Sequence, residues 1–169
     1  SLKRRVSPKF QNLLINMGGF DVKNHTMDIL SKLPECSLPS DITITIVLGR
    51  NSPNLQRIKN KIKMLNYDVV IKIDVDNMAE IMANSDIAIG AAGTTSWERC
   101  CLGLPTIQFI VAKNQQFLGK ILVKKNAVLT ADNLKKLVHL LGSAPTWINS
   151  VSASAAKVTD GTGVYKVIE

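Results

Sequence analysis

The chain has 169 residues, enough for one compact domain with a real core and too few for two. Hydrophobic residues make up 46% and charged residues 20%, which excludes a disordered or collagen-like chain, and no apolar run approaches the roughly 18 to 20 residues of a membrane helix. The net charge of +8 raises nucleic acid as a partner, yet the densest basic run (Arg57, Lys59, Lys61, Lys63) has no interleaved aromatic platform and reads as a solvated helix face, so the excess suits anionic small molecules better.

The basic start, Ser1 to Arg5, is followed by no apolar run or small-residue cleavage site, so no secretory signal is expected. Residues 1 to about 11 read as a linker from an upstream domain, and residues 12–169 as one domain. Asn12–Met17 is a short apolar strand ending at Gly18 and Gly19, and His25–Leu33 has helical apolar spacing. Pro34 to Ser40 reads as a loop, Ile42–Leu48 as a β-branched strand, and Asn54–Asn66 as a basic amphipathic helix with Leu55, Ile58, Ile62 and Leu65 on one face. Asp68–Ile73 and Asp86–Ile89 follow as strands, with helices over Asn77–Asn84 and Thr95–Leu102. Then come a strand over Pro105–Val111, a helix over Gln115–Lys125, a short strand over Ala127–Leu129 and a helix over Asn133–Leu141. A last helix runs from Pro145 through Lys157, and Asp160–Gly163 closes as a turn. Strict alternation of apolar strands and helices implies an α/β, Rossmann-like doubly wound parallel sheet of about six strands.

In such a sheet ligands bind beyond the carboxyl ends of the strands, so the residues after each strand matter most. Gly18 and Gly19 can present backbone N–H groups to a phosphate at a helix start, or simply make a tight turn; both readings stay open. Gly90 to Thr95 combines small residues with hydroxyls, but it lacks the GxGxxG dinucleotide pattern and a following acidic residue, which argues against NAD. Glu98 can accept hydrogen bonds from two ribose hydroxyls. Alternatively it closes a capping box with Thr95. Asn114 and Gln115 are amides suited to a base or sugar, with Asn114 as a plain helix cap the alternative. His25 and His139, the two histidines, lack ligand spacing, so neither a metal site nor a nucleophile triad is expected, and no general acid or base is apparent. Cys36, Cys100 and Cys101 are odd in number and show no CxxC spacing, which suits reduced thiols in a cytoplasm.

The order and content of Met17–Asp21, Asn77–Met82, the string Ser85–Pro105 with Trp97-Glu-Arg-Cys-Cys-Leu-Gly-Leu-Pro105 inside it, Asn114–Gln115 and Asp160–Gly163 resemble the C-terminal half of the pseudaminic acid pathway UDP-sugar hydrolases. These group with spore-coat polysaccharide proteins and are similar to GT-B glycosyltransferases. The resemblance implies a UDP or UDP-sugar ligand and no cofactor. It implies that Gly18 and Gly19, with the adjacent Asp21, lie at the phosphates, that Val75 and Met78 flank the uracil, and that Gly93, Thr94 and Thr95 form the diphosphate loop. Glu98 would bind the ribose, and Asn114 with Gln115 would face the sugar. Phe20 and Ala92 depart from the smaller residues of the family. The implied reaction is water attack releasing UDP and a free amino sugar without metal. Its catalytic histidine belongs to an N-terminal domain, so the expected partner is that domain or a fused enzyme such as a cytidylyltransferase, and this chain alone is expected to be inactive. A GT-B donor domain, or a non-catalytic domain, is the alternative. Neither a membrane nor nucleic acid is expected as a partner.

Overall fold

A computed structural model describes residues 10–159 and 161. Most of the expected linker and of the closing Asp160–Gly163 turn thus fall outside the described residues. Six strands form a single parallel sheet: β1 (Asn12–Asn16), β2 (Thr43–Leu48), β3 (Asp68–Ile73), β4 (Ile87–Ala91), β5 (Thr106–Phe109) and β6 (Leu129–Thr130). Their spatial order is β3-β2-β1-β4-β5-β6. The helices between them are α1 (His25–Lys32), α2 (Leu55–Ile62), α3 (Met78–Asn84), α4 (Thr95–Cys101), α5 (Gln116–Lys124) and α6 (Leu134–Gly142), with α7 (Ala144–Ala155) after them.

The period of two along a strand builds the layers. Leu13 and Ile15 of β1, Ile44 and Ile46 of β2, and Ile87 and Ile89 of β4 face one apolar layer, which Ile29, Ile58, Leu137 and Leu141 complete from α1, α2 and α6. Leu14, Val47 and Ala88, at alternate positions on the same strands, face the opposite layer with Ile81 and Met82 of α3. Strands covered on both sides carry apolar residues on both faces, hence the nearly continuous apolar runs of β1 and β4. β3 differs: Asp68, Val70 and Lys72 are exposed while the residues between are half-buried, as suits an edge strand that charges protect from further pairing. α7 bridges the layers, with Ile148 in the first, Ala155 packed beside Cys100, and Ser152 Oγ donating to the Gly103 carbonyl at 2.7 Å.

Several boundaries differ from the sequence expectation. The second helix stops at Ile62, and residues 63–66 turn so that β3 can start, with Leu65 still packed on the core. Pro34 sits in a single 3-10 turn, Leu33–Glu35, where its missing N–H costs nothing at the turn start. The last strand begins at Leu129 because Ala127 N–H closes the end of α5 on the Leu122 carbonyl.

Chain order places the reversal of winding between β1 and β4: from β1 the chain winds outward to β3, then returns through α3 to the other side of β1. The carboxyl ends of these two neighbours open a crevice.

Candidate nucleotide site

That crevice is a cleft of about 410 Å3. Gly18, Gly19, Val75, Met78, Gly93, Thr94, Thr95 and Gln115 all line it, joined by Asn16, Val47, Gly49, Asp74 and Ala91. Residues from the ends of β1, β2, β3 and β4 and from the turn after β5 therefore share one surface.

Gly18 takes φ +103°, a backbone that side-chain-bearing residues rarely adopt, and turns the chain at the end of β1. Gly19 then accepts a hydrogen bond from Gly49 N–H at 2.8 Å, which ties the β1 and β2 ends together. Asn16, buried beneath them, donates its Nδ2 to the Val47 carbonyl at 3.2 Å. On the outer side Asp74 receives Arg50 N–H at 2.7 Å and Arg50 Nε at 3.0 Å, an exposed pair that joins the β2 and β3 loops.

Asp21 has a different task. Its Oδ1 accepts from His25 N–H at 2.9 Å and its Oδ2 from Thr26 N–H at 2.8 Å, so the buried carboxylate is engaged by the first amides of α1 and does not line the cleft. His25 opens α1, as its sequence position suggests, and lines a separate recess with Asp28, Phe109 and Asn133. Gln115 accepts from Val111 N–H through Oε1 at 3.1 Å, which directs its amide toward Gly93. Asn114 is exposed in the 3-10 turn Lys113–Gln115; it caps no helix, and α5 starts only at Gln116.

Glu98 is exposed on α4, four residues past Thr94 and so on the same face. It lines a neighbouring apolar recess with Ala79, Trp97 and Leu102 rather than the cleft itself. The capping box with Thr95 does not form: α4 begins at Thr95, its cap is Thr94, and no side chain closes the helix start. Among the described residues the carboxylate thus closes no helix cap.

Arg99, the next residue, has no role that the sequence motifs assign. It is fully buried, with Nη2 donating to the Ala91 carbonyl at 2.7 Å and to Ser96 Oγ at 2.9 Å, and Nη1 to Thr95 Oγ1 at 3.2 Å. Burial lowers its pKa to about 10, so it stays cationic at neutral pH. A string in which every other helix-inward position is small or apolar was the available signal. The described residues include no group of three or more His, Cys, Asp or Glu able to hold a metal, and no helix among them is long and apolar enough to cross a membrane.

An open parallel sheet with a small-residue cleft at its switch point defines a Rossmann-like, GT-B-type ligand-binding half. The chain belongs to the glycosyltransferase family 28 C-terminal domain family, whose model matches residues 17–157. It is similar to the spore coat polysaccharide biosynthesis protein SpsG of Bacillus subtilis, with 24% identity over 93% of this chain and 48% of that protein. It is 30% identical to the UDP-2,4-diacetamido-2,4,6-trideoxy-beta-L-altropyranose hydrolase of Campylobacter jejuni over 69% of this chain and 40% of the hydrolase. In fold it resembles the crystal structure of Acinetobacter baumannii MurG, with TM-score 0.81 and 17% identity over 98% of this chain and 51% of that one. The chain spans less than half the length of the curated relatives it matches.

Proposed function

We propose that this chain is the UDP-binding half of a UDP-amino-sugar hydrolase serving nonulosonic (pseudaminic-type) acid or surface polysaccharide biosynthesis. The observation that carries the reading is the convergence of Gly18, Gly19, Val75, Met78, Gly93, Thr94, Thr95 and Gln115 on one cleft. From the β3 end to the turn after β5 this cleft crosses four strand spacings, about 19 Å, which suits an extended nucleotide sugar. Val75 and Met78 offer an apolar seat for uracil at the β3 end. The diphosphate lies over the β1–β4 junction, against Gly18, Gly19 and the Gly93–Thr95 loop, where the backbone can be approached closely. Gln115, with exposed Asn114 beside it, meets the sugar. Glu98, one helical turn beyond Thr94 and free of any cap, accepts from the ribose hydroxyls. Asp21 acts indirectly, by holding α1 and the turn before it in place.

The hydrolase similarity supports UDP as the nucleotide and an amino sugar as the group it carries. In the reaction, a water oxygen bonds to the sugar's anomeric carbon as the bond from that carbon to UDP's terminal phosphate oxygen breaks, UDP departs with the electron pair, and a base outside this chain takes the water's proton. The family match favours a second reading, a glycosyltransferase donor half, in which a sugar hydroxyl replaces water.

Titration of the protein with UDP, followed by amide NMR shifts, tests the nucleotide. Shifts at Gly18, Val75, Thr95 and Glu98 are expected, and none of them moving at millimolar UDP would sink the proposal. Release of UDP by the full-length protein from a UDP-amino-sugar in water alone selects the hydrolase; release only with a sugar acceptor selects the transferase.

A further inference from the structure

Arg99 presents an energetic problem that the fold by itself does not solve. Its guanidinium is removed from water, yet among the described residues no carboxylate pairs with it and its Nε has no hydrogen-bond partner. A buried charge held only by neutral acceptors carries a desolvation cost that a partner ion would offset. Its neighbours locate the missing partner. The groups it bonds are the Ala91 carbonyl, Thr95 and Ser96, and the first two residues line the cleft. On its other side it lies against Gly90, where a Cβ would collide with Nη1 and stand 3.0 Å from both Cζ and the Asn16 carbonyl oxygen. Gly90 is thus kept bare so that the cation can reach the floor of the cleft.

We propose that Arg99 is the built-in counter-charge for the diphosphate of the bound nucleotide, a positioning residue that shapes the Gly90–Thr95 loop from beneath and draws phosphate oxygens onto it. This rests on the diphosphate-over-loop reading given above. The anion makes no contact with the guanidinium; Arg99 acts through the loop's backbone and the Thr95 hydroxyl, which it polarises and orients. Charge in a low-dielectric floor is screened far less than surface charge, so one buried arginine outweighs a solvated lysine such as Lys59 on α2.

The test compares UDP with uridine, which lacks the phosphates. In Arg99→Met, UDP affinity should fall about tenfold or more while uridine affinity changes less than about twofold. Arg99→Lys should recover part of the loss, and Lys59→Ala, which removes an exposed charge on α2, should leave UDP binding unchanged. A folded Arg99→Met protein that binds UDP as the wild type does, or that loses UDP and uridine equally, overturns the proposal. Should that variant not fold, the wild-type protein decides: the Arg99 Nε–H NMR resonance is expected to move with UDP and with inorganic pyrophosphate and to stay fixed with uridine. Movement with pyrophosphate but no binding of UDP would leave Arg99 as an anion-positioning residue and defeat the nucleotide reading alone. A resonance that moves with neither phosphate compound defeats the Arg99 proposal.

Discussion

Two carboxylates near the same cleft differ in their hydrogen bonds. Asp21 serves the fold, because both its oxygens are occupied by amides at the start of α1. Asp21→Ala should therefore lower stability by about 1–2 kcal/mol in urea denaturation. Glu98 carries no such bond and is exposed. Glu98→Gln should change stability by less than about 0.5 kcal/mol and weaken UDP binding about tenfold by calorimetry. A capping role would produce the reverse pattern, with stability lost and binding kept. The sequence could not separate these roles: Thr95-x-x-Glu98 satisfies a capping pattern, and only the observed helix start at Thr95 with Thr94 as cap removes it. Likewise Asp21 beside two glycines reads as part of a phosphate loop until its partners, four and five residues on, are seen.

At the scale of elements, the loop between β4 and α4 depends on what lies under it. Gly90 and Arg99 form one unit across a turn, with no space for a methyl between them. Gly90→Ala should cost about 1–3 kcal/mol through this overpacking, measured by urea denaturation. Combining it with Arg99→Met should cost less than the sum of the two single changes, since the guanidinium that the methyl strikes is gone; strict additivity would mean they do not touch. β5 is joined to its neighbours in a similar polar way. Buried Gln108 donates Nε2 to the Gly119 carbonyl and to Thr130 Oγ1, each at 2.9 Å, which holds α5 and β6 to the strand and keeps Gln115 beside the cleft. Apolar periodicity revealed every strand and helix core, because period 2 and period 3.6 follow from burying one face of each element. Element ends were less legible: α2 stops at Ile62 and β6 starts at Leu129 where local turn bonds compete with continued helix or strand.

For the molecule as a whole, alkaline pH reports on the core. Burial raises the thiols of Cys36 and Cys100 from 9.0 to about 11, with the charge of Glu35 adding to the effect at Cys36. Their contribution to stability is complete below pH 9, where folded and unfolded thiols are both protonated, and is lost as pH rises to about 11. Arg99 acts in the opposite sense: its pKa, lowered from 12.5 to about 10, carries a penalty that is relieved only above about pH 10. Thermal midpoints should therefore fall most steeply between pH 9 and 10, with a shallower fall in a Cys36→Ala, Cys100→Ala variant; an unchanged slope would show that these thiols do not ionise on unfolding. The amino-acid sequence by itself determined the layered parallel α/β architecture, the order of strands and helices along the chain, and the glycine and hydroxyl content of the loops between them. These are local properties: residue size, branching and periodicity act over a few neighbours. Tertiary structure alone decided which of those loops share a cleft, that Asp21 holds a helix while Glu98 is exposed and closes no cap, and that Arg99 lies buried beneath the Gly90–Thr95 loop with no carboxylate partner among the described residues. Those facts depend on contacts between residues far apart in the chain, and on which charges lose their water when the sheet and its helices close together.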